Sequence, residues 1–212
     1  MLSYLTAALP AGTSAAARLL ALQCALRMNT KRQVRLPKGM LRSLGLNTNQ
    51  GPWRELEQAR WLRTVPENTS AKAAELLDAA LLDQAPARPD RMRAADWALR
   101  AGSPSTAGMP EPRRQLASVY LAAHADPEDG RGVSEAEQTA RSCGVALTTL
   151  SALLAQLTAT GLLKSWWICS DSGDLHWILA RGKGSHDTSH QRDTADPRSP
   201  FAGSPWSEQE VW

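Results

Sequence analysis

The sequence predicts a mainly α-helical fold with small β-hairpins, in which two copies of one supersecondary unit are joined by helices. Residues 134–179 have the pattern of a helix, a sharp turn, a second helix and a hairpin. Residues 13–65 repeat that order less regularly, and amphipathic segments lie between the two. The chain has 212 residues of which 42% are hydrophobic, enough for compact cores.

The most regular stretch is residues 134–179. Its first helix is predicted to open at Ser134, because Glu137 stands at the capping-box spacing. Gly144 predicts the turn, since glycine adopts a positive φ that branched residues avoid. A second helix then runs until Gly161. It carries leucines at spacings of three and four, which predict one apolar face: Leu147, Leu150, Leu153, Leu154 and Leu157.

After Leu163 the apolar period changes to two, and residues 171–174 predict the turn of a hairpin. This order resembles the winged-helix form of the helix-turn-helix, whose second helix enters a DNA groove and whose hairpin, the wing, flanks it. The resemblance covers residues 113–181 and is carried by the Gly-Val turn, by TTLSALLAQL and by the ATGLL ending. Since proteins of this fold also serve purely as protein-binding modules, the function must be argued from sites.

The first copy is predicted to begin with a helix from Thr13 or Ser14 to about Met28. A short strand over residues 33–36 and a helix over residues 37–44, ended by Gly45, follow. The phrases LRSLGL and LEQARWL resemble the same motif, less closely than the later copy.

Two departures from the winged-helix pattern affect the first copy. Gly51 and Pro52 stand where the recognition helix presents its early residues, which predicts a short helix that starts near Pro52. The wing is reduced to one predicted strand near residues 64–68, because residues 71–83 have a strongly helical, amphipathic pattern. A further helix over residues 91–100 is predicted to be capped by Asp90.

The composition divides the chain further. Residues 102–112 are rich in Gly, Pro and Ser, and residues 182–200 are polar. The aromatic end with Phe201, Trp206 and Trp212 is expected to be a frayed terminus rather than a docking segment. The expected division is 1–65 as a basic winged-helix-like domain, 66–101 as connecting helices, 102–112 as a flexible linker, 113–181 as a winged-helix domain and 182–212 as a disordered tail.

Positive charge is concentrated at the start of the chain. The net charge is only +3, but residues 1–54 contain eight basic residues and no acidic residue. Positions 55–212 hold the remaining 16 basic and 21 acidic residues, a net charge of −5. An anionic partner is therefore expected at the first copy.

Double-stranded DNA is the expected partner. Cations of the loop, strand and first helix of the first copy are predicted to contact phosphates: Lys31, Arg32, Arg35, Lys38 and Arg42. Amides pair with adenine and Arg with guanine, which predicts base reading by Asn47, Asn49, Gln50 and Arg54. The alternative interpretation of the same residues is a solvated basic face.

The second copy predicts a different role. Its second helix contains no Lys or Arg through Thr160, and its wing tip carries Asp171 and Asp174, which would repel phosphate. The hairpin has more tryptophans than one small core face needs, so partner binding or dimerisation is expected there: Trp166, Trp167 and Trp177. Core packing is the alternative for at least two of the three.

Catalysis and cofactors are not expected. The sequence contains no Gly-rich phosphate loop, nucleophile elbow or paired-carboxylate pattern, and His186 and His190 have a metal-pair spacing only in a segment that is not predicted to be helical. Cys24, Cys143 and Cys169 form no CxxC pair. With no convincing export signal and no apolar run of about 18 residues, the expectation is a reduced cytoplasmic protein without membrane contact.

The leading hypothesis is a bacterial, nucleoid-associated DNA-binding regulator of transcription. It would contact DNA with the first copy and use the second for dimerisation or for a protein partner. Plasmid replication initiators, which also use paired winged helices, are an alternative of the same class. The competing class is a non-catalytic adaptor, similar to the paired winged-helix subunits of chromosome-condensing complexes.

Overall fold

A computed structural model describes residues 1–66, 71–101 and 111–180 of the chain. The helices in this part are α1 (Leu2–Ala8), α2 (Ala15–Arg27), α3 (Lys38–Ser43), α4 (Gly51–Gln58), α5 (Ala80–Gln84), α6 (Arg88–Ala101), α7 (Pro112–Ala123), α8 (Ala136–Ser142) and α9 (Leu147–Ala159). The strands are β1 (Gln33–Pro37), β2 (Leu62–Val65), β3 (Ala71–Leu76), β4 (Arg131–Glu135), β5 (Leu163–Ile168) and β6 (Asp174–Leu179).

The first unit comprises α2, β1, α3, α4, β2 and β3 in chain order. Its three strands form an antiparallel sheet in the order β1-β3-β2. Alternation along β1 turns Val34 and Leu36 into the core, and their partners on the central strand include the buried Ala74. The sheet therefore buries one face against the helices and leaves the other face outside.

The second unit repeats this arrangement with α7, β4, α8, α9, β5 and β6. Its antiparallel sheet has the order β4-β6-β5, so the last strand is again central. Leu175 and Trp177 on that strand are buried. The prediction of a mainly helical chain with small β-hairpins is thus confirmed at the level of α-helices and two small antiparallel sheets.

The same turn joins the two helices of each unit. Gly45 has φ +69° and Gly144 has φ +63°, the left-handed conformation that favours glycine. In the first unit the amide of Leu46 donates to the carbonyl of Leu41 (2.7 Å), and in the second the amide of Val145 donates to the carbonyl of Ala140 (3.0 Å). The turn predicted at Gly144 is confirmed.

The predicted helix over residues 71–83 is wrong. Residues 71–76 form β3, the central strand of the first sheet, and only Ala80–Gln84 is helical. Ala, Lys, Glu and Leu favour a helix in isolation, but here the segment pairs with β1 and β2 on both sides, and this tertiary pairing overrides the local preference. The wing of the first unit accordingly has two strands, where one was predicted, and the first unit extends to Leu76.

Two predicted helix starts are also wrong. Ser134 lies in β4, where it pairs with Leu175 and its Oγ lies 3.2 Å from the hydroxyl of Tyr120, so α8 begins only at Ala136. Because Ser134 is paired within the strand, it does not cap α8. Asp90 is not the cap of α6 but lies inside its first turn.

The predicted short helix at Pro52 is confirmed, since α4 has eight residues with Pro52 in its first turn. The helix that begins after Ser14 is also confirmed, and the Ser14 side chain accepts from the amide of Ala17. Residues 102–110 of the predicted linker lie outside the described residues. The whole predicted tail 182–212, with His186 and His190, lies outside them too.

Helix α2 holds the two units together. Almost all of its side chains are buried, and it packs against α1, α4, α6 and α7. A Cβ at Gly144 would lie 2.6 Å from the backbone nitrogen of Ala15, so the turn of the second unit rests directly on the start of α2. The buried guanidinium of Arg91 donates to carbonyls at the C-terminal end of α2, including that of Met28 (3.0 Å).

Candidate nucleic-acid interface

The exposed side of α4 forms the centre of the candidate interface. Pro52, Trp53 and Leu56 point into the core. Gln50, Arg54 and Gln58 are exposed and follow one another at intervals of four residues, so they share one face. Of these, Gln58 was not among the predicted base-reading residues.

The loop before α4 carries the predicted Asn47 and Asn49. Both are exposed, but their roles differ, because the Oδ1 atom of Asn49 accepts from the amide of Gly51 (2.7 Å). Asn49 thereby satisfies a free backbone donor at the start of α4. Asn47 and Gln50 are also exposed in this loop, and the Oε1 atom of Gln50 accepts from Lys72.

Both carboxylates of α4 accept hydrogen bonds from other elements of the protein. Glu55 accepts from the amide and the hydroxyl of Ser14 (2.6 Å from Oγ to Oε2), at the N-terminal end of α2. Glu57 accepts from the amide (3.1 Å) and the hydroxyl of Thr64 in the wing. The side-chain hydrogen bond from Thr64 holds the pKa of Glu57 below its usual value. These contacts anchor α4 to α2 and to β2, and the Glu57 carboxylate also interacts electrostatically with Arg54 and Lys72.

Lys72 is a candidate contact that the sequence did not reveal. It lies on β3 with its ammonium 5.0 Å from the ring centroid of Trp53, and it donates to Oε1 of Gln50 (2.5 Å). Burial lowers the pKa of the Lys72 ammonium. The wing thus places a cation beside the first residues of α4. The helical prediction for residues 71–83 concealed it, whereas a two-stranded wing would have drawn attention to it.

Lys38 lies at the same end of the first sheet as this cation. It is the first residue of α3, directly after Pro37, and Pro37 pairs with Ala71, the neighbour of Lys72. Arg42 is exposed in the last turn of α3, and Arg35 lies on the outer face of the sheet, opposite Ala73. Lys38 and Lys72 are therefore at one end of the sheet, where Lys72 contacts Gln50.

Lys31 and Arg32 lie at the other end of β1. The carbonyl of Arg32 accepts from Leu76 (2.9 Å), and its guanidinium is 3.5 Å from the carbonyl of Leu77. A strand rises about 3.3 Å per residue, which puts Arg32 about 20 Å from Lys38. The five predicted phosphate contacts do not form one patch.

The corresponding helix of the second unit, α9, has an uncharged surface. Thr148, Thr149, Ser151 and Ala152 are exposed, and no residue of Leu147–Ala159 is ionisable. Leu150, Leu153, Leu154 and Leu157 are buried as predicted. Leu147 is not part of that buried face, since it is 45% exposed at the start of the helix.

The three hairpin tryptophans have different environments. Trp177 is fully buried and its indole donates to the carbonyl of Leu121 (3.2 Å), so its predicted role in partner binding is wrong. It fills the space above Gly132, where a Cβ would lie 2.1 Å from the ring. Trp166 is half-buried against the core. Trp167 is half-exposed and stacks on His176, with centroids 4.9 Å apart.

Among residues 1–66, 71–101 and 111–180, no three His, Cys, Asp or Glu side chains are grouped to hold a metal ion. Cys24, Cys143 and Cys169 are free thiols, and burial raises the pKa of Cys143 to about 12. No single helix there is long and apolar enough to span a bilayer, although α8 and α9 together, bent by 80°, have the length and composition.

Comparison with protein-family models, curated proteins and solved structures gives no match. The candidate site is a polar helix face with Lys72 beside its first residues, on a framework of helices and a three-stranded sheet.

Proposed function

We propose that the chain is a double-stranded DNA-binding protein whose two units are winged helices, and that the first unit contacts the DNA. The observation that supports this most strongly is the exposed face of α4. It offers Gln50, Arg54 and Gln58, while the two carboxylates of α4, Glu55 and Glu57, accept hydrogen bonds from Ser14 and Thr64.

The cations around this face suit a phosphate backbone. Lys38, Arg42 and Lys72 lie on two elements that flank the start of α4, and contacts of this kind supply affinity without sequence information. Sequence reading falls to Asn47, Gln50 and Arg54, since amides recognise adenine and Arg recognises guanine in the major groove. Lys31 and Arg32 are left out of this contact.

Regulation of transcription is the proposed role, with the second unit used for dimerisation or for a protein partner. The uncharged surface of α9 and the exposed Trp167 favour a protein contact rather than a DNA contact for the second unit. The same observations favour the alternative, a non-catalytic adaptor, if the first unit proves unable to bind DNA.

A salt titration of duplex binding tests the proposal. The logarithm of the binding constant should fall with the logarithm of salt concentration by about 0.9 per neutralised phosphate, so Arg42→Ala should make that slope smaller by about one unit. Arg141→Ala is the matched control, because both arginines are exposed in the last turn of the first helix of their pair. Lys31→Ala should leave the slope unchanged.

Undetectable binding at low salt would reject the proposal in favour of the adaptor. Equal effects of Arg42→Ala and Arg141→Ala would reject the assignment to the first unit. Selection of bound fragments from a genomic library then separates a transcription regulator, which should enrich promoter regions, from a replication initiator, which should enrich one repeated locus.

A further inference from the structure

The outer face of the second sheet carries two exposed apolar side chains, Val133 and Trp167. β4 turns Gly132 and Ser134 toward the core and Arg131, Val133 and Glu135 outward. The outward residues of the other two strands lie in register with them. The face is therefore defined by three rows of side chains that cross the sheet.

The middle row is apolar and aromatic. Val133 is opposite His176, and His176 is opposite Trp167, so one side chain from each strand contributes to the row. Val133 is 56% exposed and Trp167 is 50% exposed. The rings of Trp167 and His176 are parallel within 1°, which presents a flat surface rather than a pocket. Flat, rigid aromatic surfaces of this kind suit protein contacts.

The two ends of the face carry opposite charge. Arg131 lies at one end, next to Ile178, with its side chain 73% exposed despite a 3.4 Å ion pair with Asp129. Glu135 and Asp174 lie opposite each other at the other end. The charge changes sign across the Val133–His176–Trp167 row.

We propose that this face binds the same face of a second copy of the chain. A twofold axis parallel to the sheet, perpendicular to the strands and above the middle row, reverses the strand direction of the partner. It then sets Arg131 of each copy over the partner's Glu135 and lays the two apolar rows on each other. A twofold axis along the strands would not pair these charges. The self-complementary charge pattern thus selects both the occupant and its orientation.

The dimer formed in this way is weak. The face is three strands wide and about five residues long, which corresponds to roughly 250 Å² in projection. This is well below the roughly 800 Å² per partner of a standard stable interface. Association in the micromolar range or weaker is therefore expected for the free protein. The inference rests on the associating role proposed for the second unit and not on DNA binding.

Sedimentation velocity of the full chain without DNA tests the interface. The weight-average sedimentation coefficient should rise with concentration between about 1 and about 300 µM, as expected for a small interface. Trp167→Ala should weaken dimerisation at least about tenfold, because a central tryptophan dominates an interface of this size. Trp97→Ala is the matched control, since Trp97 is similarly exposed (39%) on α6, away from the face.

Charge reversal tests the orientation. Arg131→Glu alone and Glu135→Arg alone should each weaken self-association at least about threefold, because each places like charges together twice in one dimer. An equimolar mixture of the two variants should associate at least as well as the wild type, since both contacts are then attractive.

Three results would overturn the inference. They are a monomer at every concentration, a dimer that Trp167→Ala leaves unchanged, and two charge variants whose mixture associates no better than either alone. Since these measurements contain no DNA, failure here leaves the DNA proposal to its own test.

Discussion

The two units place different side chains at equivalent backbone positions. In the first unit, Val34 of the first strand is opposite Ala74 of the central strand; in the second, Gly132 is opposite Trp177. Each pair lies on the core side of its sheet, with the larger side chain on the first strand in one unit and on the central strand in the other. The two units thus fill the core side of equivalent strand pairs with different side chains.

The outer faces differ more. The row that contains Val133, His176 and Trp167 in the second sheet corresponds to Arg35, Ala73 and Val65 in the first. A charged and small-residue surface stands where the second unit has an aromatic stack. Of the two outer faces, only the second therefore has an exposed tryptophan in this row.

The helices around the glycine turn differ in charge. Counted back from the turn, Arg42 is equivalent to Arg141, and Lys38 is equivalent to Glu137. The helix after the turn presents Arg54 and amides in the first unit and only uncharged residues in the second. One arrangement of helices and strands thus carries exposed cations in the first unit and an uncharged α9 in the second.

The largest expected effect is on the packing of the second unit. Gly132→Ala forces a Cβ to within 2.1 Å of the buried Trp177 ring, so the free energy of unfolding should fall by about 3 kcal/mol or more. Gly39→Ala in α3 is the control, because a Cβ there meets open space and alanine favours a helix. Chemical denaturation measures both. Equal free energies of unfolding for the two variants would contradict the close contact between Gly132 and the Trp177 ring.

A large effect on binding is expected at α4. Arg54→Ala should lower affinity for the preferred duplex by about 1–3 kcal/mol, and it should relax specificity at one base pair, because the guanidinium reads a base. Fluorescence anisotropy with single-base variants of the selected duplex measures this. A uniform loss over all duplexes would make Arg54 a phosphate contact instead.

A smaller effect is expected at the equivalent helix of the second unit. Thr148→Arg adds a cation to the exposed start of α9. It should change duplex affinity less than tenfold, because the proposal assigns the DNA contact to the first unit. The same anisotropy assay applies. A gain or loss above about tenfold, roughly 1.4 kcal/mol, would show that α9 contacts the duplex.

The smallest expected effect concerns the wing anchor of the first unit. The lowered pKa of Glu57 means that its contribution to stability is present above the ordinary carboxyl pKa and is lost as pH falls through the folded-state pKa. Thr64→Val removes the donor hydroxyl. Its deficit in unfolding free energy should be roughly a few tenths of a kcal/mol at pH 7, after solvent screening, and should shrink as the pH falls through the folded-state pKa. A deficit that does not depend on pH would mean lost packing.

Local patterns predicted the features that short-range chemistry determines. The turn at Gly144, the leucine face of α9 and the start of α4 at Pro52 each depend on neighbours within a few residues. Residues 71–76 could not be predicted in this way, because their strand depends on β1 and β2, whereas their composition favours a helix. The prediction that Ser134 caps α8 was wrong for the same reason, because Ser134 pairs with Leu175 of β6.

The candidate site was predicted in part. Lys38, Arg42, Asn47, Gln50 and Arg54 are exposed around the start of α4, as nearness in sequence suggested. Arg32 was misplaced because an extended strand separates residues that a helix would keep together. Lys72 was missed because its position beside Gln50 exists only after the sheet has formed.

Reciprocal charge exchange at the equivalent positions Lys38 and Glu137 tests most directly whether the first unit alone contacts DNA. Salt titrations of duplex binding are compared for the wild type, Lys38→Glu and Glu137→Lys. Lys38→Glu should weaken binding at least about tenfold and reduce the salt slope by between about one and two units, whereas Glu137→Lys should leave both nearly unchanged. A steeper slope and tighter binding for Glu137→Lys, with no loss for Lys38→Glu, would contradict the account.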